Sequence, residues 1–294
     1  MSRRRGTLAG MKYAVNMPNF GDCADPTVAV SLARDAEAAG WDGFFVWDHV
    51  LVDPGWETPI ADPWIILAAV AAVTRRIRLG PMVTPLPRRQ PVKLARETTT
   101  LDHLSNGRLT LGVGLGWPSE AEFGWFGGEV DVAHRAEMLD EGLEVLAGIW
   151  SGRPFEHEGP HYRVRQTVFR PQPVQEPRIP VWVAAMRPFN EAPIRRAARW
   201  DGVVAATDSF DHVTPAELAD VVGRCRRHRD PDAGPFDVAV SATTPGDDPA
   251  RAAEIVAAYE ASGLTWWNEI ISPMLGSVEA MRERIVAGPP DGRS

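Results

Sequence analysis

The sequence predicts an α/β protein that folds as a (β/α)8 TIM barrel, with an inserted rim hairpin or loop after the fourth strand. Short apolar, β-branched runs alternate with longer amphipathic runs along the chain, which is typical of parallel βα units. Eight such strand–helix pairs follow one another without an internal linker. The length of 294 residues suits one barrel. A doubly wound open sheet is the second choice for this pattern.

The predicted strands are short runs of β-branched and aromatic residues between turn signals. In chain order they span residues 13–17, 43–47, 77–83, 109–113, 181–185, 202–205, 236–240 and 264–267. The predicted helices carry apolar residues at helical spacing, and most begin at a proline or a capping residue. They span residues 26–39, 63–74, 91–101, 132–150, 193–200, 215–228, 249–262 and 277–287.

We expect a single barrel domain over residues 11–287, with the rim insertion at about 117–178. Residues 153–178 break the alternation because they contain five prolines, and the alternating apolar residues among them predict the hairpin. Residues 1–10 are predicted to be a disordered N-terminal extension, and residues 288–294 a flexible tail.

Composition excludes several classes of protein. The net charge of −8 argues against a general polyanion binder, so no nucleic-acid partner is expected. Two cysteines can form neither a disulfide framework nor a thiolate metal cage, which suits a reducing cytoplasm. No apolar run approaches the roughly 18 residues of a membrane span, and Lys12 interrupts any export signal after Arg3–Arg5. The predicted location is cytoplasmic, without a membrane partner.

The end of the second predicted strand carries the best acid–base pair of the chain. In a barrel of this kind, chemistry lies at the carboxyl ends of the strands. Trp47 is followed there by Asp48 and His49, a carboxylate beside an imidazole that titrates near neutral pH. The alternative is structural, in which Asp48 caps the following loop and His49 packs against aromatic rings.

Glycine and proline mark the ends of the next two strands. Gly80–Pro81 predicts a bulge that brings backbone close to a ligand, although a simple strand terminator explains it equally well. Gly112, Gly114 and Gly116 leave one face of the fourth strand without side chains, which gives room for a flat ring. Tight packing inside the barrel is the alternative.

Two further patterns concern anions and metals. Arg187 precedes a helix start whose backbone N–H groups suit a phosphate, although a lone arginine is more often a surface residue. His157 and His161 suggest a metal, but they lie in an irregular hairpin with no third ligand nearby. We therefore predict no metal site.

Taken together, these segments resemble the bacterial-luciferase-like superfamily of flavin- and deazaflavin-dependent oxidoreductases. The resemblance covers roughly residues 11–285, with the motifs in the right order, and is closest to the coenzyme F420-dependent branch. The matching stretches are residues 36–43 leading to 47–49, 62–64, 74–80 with 83–85, 101–108 running into 112–114, 155–162 and 197–202.

The resemblance implies a cofactor ring at the strand ends, with His49 as the catalytic residue, a proton donor or orienting group near the reactive face. It also implies a non-prolyl cis peptide, here at Pro81–Met82, and a hydrogen bond from Thr84 to the polar edge of the ring. The other positions that match cofactor-contacting residues of the superfamily are Asp48, Leu115, Gly116 and, around the phosphate tail, Ala184, Ala185, Met186 and Arg187.

One departure bears on the substrate. Sugar-phosphate dehydrogenases of the deazaflavin branch have an acid–base glutamate where this chain has Trp117. Trp117, with Trp47, is expected to line the substrate pocket and to favour a small apolar or aromatic substrate. Whether Glu120, Glu122 or Glu269 replaces the missing acid is open.

The resemblance therefore implies an oxidoreductase that transfers hydride between reduced coenzyme F420 and an organic substrate. The alternative is a two-component monooxygenase that uses FMNH2 and O2, fed by a separate flavin reductase; a flavin can activate O2 in this way, and a 5-deazaflavin cannot. A third possibility is a barrel that binds flavin, or acts structurally, without catalysis. A homodimer is expected by analogy with the superfamily.

Overall fold

The computed structural model describes residues 10–208 and 211–290, and the β-strands among them build a barrel. Their bounds are β1 Lys12–Met17, β2 Gly43–Val46, β3 Arg78–Pro81, β4 Thr84–Pro85, β5 Leu111–Gly114, β6 Phe155–Glu158, β7 Arg163–Thr167, β8 Val181–Met186, β9 Gly202–Ala206, β10 Asp237–Ala242 and β11 Trp266–Ile270. The parallel sheet has the order β3-β2-β1-β11-β10-β9-β8-β5-β4, and β6 pairs with β7 separately.

The two edges of this sheet are parts of one strand. β3 lies within the third predicted strand, 77–83, and β4 follows directly after that range; β3 pairs with β2 while β4 pairs with β5. Leu79 of β3 also bridges Leu109, just before β5, so the ring closes. The described residues thus form eight parallel strands, which confirms the predicted (β/α)8 barrel.

Helices surround the barrel. They are α1 Pro26–Ala38, α2 Pro63–Val73, α3 Pro91–Ser105, α4 Ser119–Glu122, α5 Val132–Trp150, α6 Glu191–Ala198, α7 Pro215–His228, α8 Pro249–Ala261 and α9 Val278–Val286. The strongest local signals set their starts: the Asp62 side chain accepts the N–H groups of Trp64 and Ile65, and Thr214 with Glu217 forms a capping box. In the described ranges, no helix combines the length and apolarity needed to cross a membrane.

The hairpin β6–β7 is present where the sequence predicts it, but it comes after α5 and leads to β8. The segment directly after β5 is instead a loop that contains α4. Glu141 of α5 ties the hairpin down by accepting N–H bonds from His161 (3.0 Å) and Tyr162 (2.8 Å). Most of the predicted N-terminal extension, residues 1–9, and residues 291–294 of the predicted tail lie outside the described residues.

Aromatic rings fill the barrel interior. Phe45, Trp182 and Trp266 contact one another with ring centroids 5.4–5.8 Å apart. They belong to a buried lumen cluster that is separate from the larger core between strands and helices. The cluster comprises Ala14, Phe45, Met82, Trp182, Val204, Ala239 and Trp266. Because these rings close the lumen, a ligand has access to the barrel at the strand ends.

The glycines of the fourth strand serve close packing. A Cβ atom at Gly112 would lie 2.4 Å from the carbonyl oxygen of Pro81, and one at Gly114 would lie 2.9 Å from Val83 Cγ2. The neighbouring strand therefore occupies the space that these glycines leave. The interpretation of Gly112 and Gly114 as an open groove for a ring is wrong, and the alternative of tight packing holds.

A non-prolyl cis peptide does lie at the third strand, but it joins Met82 to Val83. The predicted position, Pro81–Met82, is one bond too early. Pro81 still pairs with Val46, and the Met82 N–H donates to the Val46 carbonyl at 2.8 Å. Since the strand pairing continues through the Met82 nitrogen, the chain leaves the ladder only after this point.

Candidate active site

Asp48 lies in a buried cluster of basic and hydroxyl groups at the end of β2. It is 4% exposed. Its carboxylate accepts hydrogen bonds from Thr84 Oγ1, from Arg88 Nη2 and, at 2.7–3.2 Å, from the guanidinium of Arg89. A carboxylate surrounded in this way has its lone pairs engaged, so Asp48 serves to fix its neighbours in place.

His49 contacts a second buried carboxylate. Its Nδ1 lies 2.8 Å from Oε1 of Glu122, which belongs to α4 in the loop after β5. Glu122 is 1% exposed, and it also accepts the backbone N–H groups of Val50 and Leu51 at 3.2–3.4 Å. A neutral imidazole in this contact carries its hydrogen on Nδ1, so Nε2 presents its lone pair.

Arg88 joins the two carboxylates into one network. One guanidinium nitrogen pairs with Asp48 and the other with Glu122. The side chain of Arg88 is 14% exposed, so both pairs are largely shielded from water. The network therefore runs from Thr84 through Asp48, Arg88 and Glu122 to the imidazole of His49.

His49 is neutral at physiological pH. Burial, together with the positive charge of Arg88, lowers the pKa of His49 to about 4, and Asp48 opposes this shift. The side chain remains 19% exposed, so a ligand can reach it. A neutral imidazole with an accessible Nε2 is suited to accept a proton.

Backbone contacts and aromatic rings hold His49 in place. Asn19 accepts the His49 N–H at 3.1 Å and donates to the His49 carbonyl at 2.8 Å. The rings of Trp47 and Phe20 lie 6.0 and 6.1 Å from the imidazole, centroid to centroid. The imidazole thus contacts the Glu122 carboxylate through Nδ1 and lies beside two aromatic rings.

A cleft opens beside this aromatic group. It has a volume of about 430 Å3 and is lined by Phe20, Gly21, Gly55, Trp56, Glu57, Thr58, Pro273 and Met274. Phe20 and Trp56 meet edge to face at 6.1 Å. The Phe20 ring, whose centroid lies 6.1 Å from that of His49, stands between this cleft and the imidazole. The lining combines apolar side chains with Glu57 and Thr58.

The other predicted cofactor positions near the third strand are mostly engaged. Thr84 is fully buried, and its hydroxyl hydrogen goes to Asp48, which leaves none for the polar edge of a ring. Pro81 is buried in β3, and Met82 belongs to the lumen cluster at 6% exposure. Of these, Met82 faces the barrel interior.

Leu115 and Gly116 lie where the chain leaves β5. The buried guanidinium of Arg135 donates to both of their carbonyl groups at 3.1 Å. Gly116 has φ +87, and a Cβ there would lie 2.6 Å from the Phe123 ring, so the loop needs glycine at this position. Arg135 thereby fixes the loop that carries Trp117 and Glu122.

The predicted phosphate-tail segment, Ala184 to Arg187, ends β8. Ala184 lies beside Gly114 inside the barrel, whereas Ala185 is buried in the outer core. The Arg187 guanidinium donates to Glu217 at 2.9 Å through two nitrogens, which lowers the pKa of Glu217 to about 2. An anion at Arg187 therefore has to compete with this carboxylate.

The predicted substrate-pocket residues differ in exposure. Trp47 is half-buried against Phe20 and His49, whereas Trp117 is 53% exposed at the start of the loop before α4. Trp117 thus projects from the same loop that supplies Glu122.

The structure separates the three candidate glutamates. Glu122 contacts His49; Glu269 is buried with Thr244 and the Trp267 indole N–H, and Glu120 is exposed. Glu122 is itself paired with Arg88, so it orients the imidazole and is not a free acid. Sequence reasoning also missed Arg88 and Arg89, although the Arg–Arg pair directly after the proline-rich segment 84–87 was an available signal.

The described residues contain no candidate metal site. Across residues 10–208 and 211–290, no group of three His, Cys, Asp or Glu side chains could hold a metal ion. His157 pairs with Glu141 at 2.9 Å.

Comparison with known proteins identifies the family. An uncharacterised protein of Mycobacterium tuberculosis is 32% identical over 248 residues, which cover 78% of this chain and 79% of that protein. The oxygenase component of a flavin-dependent trigonelline monooxygenase from Acinetobacter baylyi is 30% identical over 159 residues, 54% of this chain and 43% of that protein.

A solved structure has the same fold. An F420-dependent secondary alcohol dehydrogenase, in complex with an F420–acetone adduct, superposes with a TM-score of 0.78 at 16% identity and covers 97% of this chain and 100% of that one. Residues 9–290 match the family described as luciferase-like monooxygenase. The chain therefore belongs to the luciferase-like family of oxidoreductases and monooxygenases.

Proposed function

We propose that this protein is an oxidoreductase that transfers hydride between coenzyme F420 and a small apolar or aromatic substrate, with His49 moving the proton. The observation that carries this proposal is the contact between His49 Nδ1 and Glu122, which leaves Nε2 of a neutral, partly accessible imidazole for the substrate. The fold shared with an F420-dependent alcohol dehydrogenase supports the choice of cofactor.

The residues at the strand ends fit a flat heteroaromatic ring. Its faces need apolar neighbours, which Trp47 and Phe20 supply beside His49. Its N–H and C=O groups need polar partners, and the buried amides of Asn16 and Asn268 have atoms without a hydrogen-bond partner in the described part of the chain. The fit is poorer for the phosphate tail, since Arg187 is paired with Glu217.

When bound, the deazaflavin ring accepts or supplies the hydride. His49 Nε2 accepts the proton from the oxygen of a substrate hydroxyl, while a hydride leaves the carbon that bears this hydroxyl. Glu122, which is itself held by Arg88, keeps the imidazole in the required tautomer. With a pKa of about 4, only about a thousandth of His49 is protonated at pH 7, so the imidazole is better prepared to accept a proton than to donate one.

The substrate is proposed to be apolar or aromatic. Trp117 occupies the position at which the sugar-phosphate dehydrogenases that this sequence resembles have an acid–base glutamate. The cleft beyond Phe20 has Glu57 and Thr58 in its lining, together with Trp56, Pro273 and Met274. Burying an apolar ring against such side chains stabilises the complex by roughly 25 cal/mol per Å2.

A second candidate is an FMN-dependent monooxygenase with a separate reductase partner. The 30% identity with the oxygenase component of trigonelline monooxygenase favours it. A bound flavin would supply the chemistry with O2 in that case, and His49 would hold the substrate. The same site serves either cofactor ring, so the cofactor decides between the two reactions.

Anaerobic titration with reduced F420 and with reduced FMN, followed by cofactor fluorescence, tests the proposal. We expect saturable binding of F420 and hydride transfer to or from simple alcohols and ketones. Binding of FMN alone, with O2 consumption on addition of substrate, would favour the monooxygenase. Binding of neither cofactor contradicts both, whereas binding without any turnover leaves the non-catalytic barrel.

A further inference from the structure

Three polar side chains lie together inside the barrel on adjacent strands. Asn16 of β1, Asn268 of β11 and Ser241 of β10 each stand two residues beyond a member of the lumen cluster, namely Ala14, Trp266 and Ala239. Since side chains two apart on a strand share a face, all three point into the lumen, each two residues nearer the carboxyl end of its strand than that cluster member. Asn16 Nδ2 donates to Ser241 Oγ at 2.9 Å, which confirms that the side chains meet.

Much of the hydrogen-bonding capacity of this group is unused. Asn268 is fully buried, yet neither its Nδ2 nor its Oδ1 has a partner among the described residues. Asn16 is 2% exposed, and its Oδ1 is also without a partner there. Buried polar groups are nearly always satisfied, so a fully unpaired amide at this depth calls for a missing partner.

The free atoms define the chemistry of that partner. Asn268 Nδ2 requires an acceptor, whereas Asn268 Oδ1 and Asn16 Oδ1 require donor hydrogens. The three side chains carry no charge, so an ionised group placed beside them would stay uncompensated in the lumen. A neutral group with both a donor and an acceptor satisfies these conditions.

We propose that Asn16, Asn268 and Ser241 form a hydrogen-bonding floor that binds such a neutral group: either the C=O/N–H edge of the cofactor ring or a hydroxyl of the substrate. This inference rests on the proposed function, because it presumes a ligand at the barrel mouth. A ligand that reaches the floor has to displace lumen side chains, of which Met82 is unbranched and flexible.

The variant Asn268→Leu separates a ligand-binding amide from a structural one. It keeps the size of the side chain and removes all its hydrogen bonds. Because the amide has no partner among the described residues, we expect the melting temperature without ligand to stay the same or rise. Asn19→Leu is the matched control, since Asn19 is bonded to His49 and Ala61, and its melting temperature should fall.

Binding is measured in two arms that distinguish the sources. In the first, FMN and F420 are titrated by fluorescence; in the second, cyclohexanol binding to the cofactor-saturated protein is followed by ligand-observed NMR, with cyclohexanecarboxylate as the charged comparison. If Asn268→Leu lowers the affinity for the cofactor at least tenfold in the first arm, the floor binds the ring edge. If it lowers only the affinity for cyclohexanol by this factor, in the second arm, the floor binds the substrate hydroxyl. Asn268→Ala repeats both arms with a side chain that cannot clash.

Unchanged affinity in both arms, or a melting temperature that falls as far as in Asn19→Leu, would overturn the inference. Tighter binding of the carboxylate than of the alcohol by the wild-type protein would also count against it. Failure of the wild-type protein to bind either cofactor counts instead against the proposed function, which keeps the two failures distinct.

Discussion

Nδ1 of His49 lies 2.8 Å from Oε1 of Glu122, although 73 residues separate them in the chain. The imidazole follows β2 and the carboxylate follows β5, on opposite sides of the closing third strand. The barrel brings them together because the carboxyl ends of parallel strands meet at one mouth. Glu122 fixes the tautomer of His49, whereas burial and the positive charge of Arg88 lower the pKa of the imidazole.

Replacing His49 tests its role as the proton-transferring group. We expect His49→Ala to lower kcat by about 10²–10⁴, the range for loss of a general acid or base, while cofactor affinity changes little. Steady-state kinetics at saturating cofactor, together with a fluorescence titration, measure both quantities. Wild-type turnover in the variant would remove His49 from the mechanism.

Acid sensitivity of the fold arises from the same imidazole. Burial lowers the pKa of His49 from 6.5 to about 4, so the unfolded chain binds this proton at a higher pH than the folded protein does. The free energy of unfolding should therefore be level above pH 6.5 and decrease from there to pH 4, by up to about 3 kcal/mol. Urea denaturation across this range measures the loss.

In the variant His49→Asn, the free energy of unfolding should depend less on pH between pH 6.5 and pH 4. His134, whose side chain is 59% exposed, provides the comparison, and His134→Asn should leave the slope as in the wild type. Identical slopes in all three proteins would show that His49 does not titrate abnormally.

Arg88 is expected to set the pH dependence of catalysis. Its positive charge helps to lower the pKa of His49, so Arg88→Gln should move the acid limb of the kcat profile to higher pH, by about one unit. Arg88→Lys keeps the charge and should keep the limb near its wild-type position, although it loses the two-sided contact with Asp48 and Glu122. Equal profiles for the two variants would contradict an electrostatic role.

Close packing at the fourth strand predicts an intolerance to small side chains. A Cβ at Gly112 would lie 2.4 Å from a backbone oxygen of Pro81, so Gly112→Ala should lower the free energy of unfolding by about 1–3 kcal/mol. A Cβ at Gly223, inside α7, would meet only the Arg227 side chain, at an ordinary contact distance of 3.8 Å, so Gly223→Ala should instead raise stability by about 0.5–1 kcal/mol. Thermal denaturation measures the stability of both variants against the wild type. Unchanged stability of Gly112→Ala would contradict close packing and favour an open groove at this strand.

Trp117 is predicted to select apolar substrates. Trp117→Ala should raise KM for an aromatic alcohol about tenfold and leave KM for a small aliphatic alcohol nearly unchanged, because only the ring loses its apolar wall. Trp125, 62% exposed in the same loop, is the control whose replacement should affect neither. If Trp117→Ala raised KM equally for both alcohols, the substitution would have changed the loop as a whole and not only removed the apolar contact of the indole.

Local patterns predicted the architecture well. Helices α5 and α7 have the predicted bounds: a capping side chain, Asp131 or Thr214, stands at each start, and α7 also begins at a proline. The non-prolyl cis peptide lies at Met82–Val83, one bond later than the resemblance implies, and Pro81 remains paired with Val46 in the ladder.

The site was less predictable, because its partners come from separate loops. Asp48 and His49 are visible as neighbours in the sequence, whereas Arg88 and Glu122 reach them only through barrel closure. The alternating glycines were ambiguous for a different reason. A missing side chain gives room equally to a ligand and to a neighbouring strand, and here the strand occupies it.

A crystal structure of the protein soaked with F420 or FMN tests the central claim most directly. We predict a ring bound at the strand ends with His49 Nε2 within hydrogen-bonding distance of a bound alcohol, and Nδ1 still on Glu122. A mouth closed by the side chains of Trp47 and Trp117, with no ring bound at cofactor concentrations that saturate related enzymes, would contradict the account.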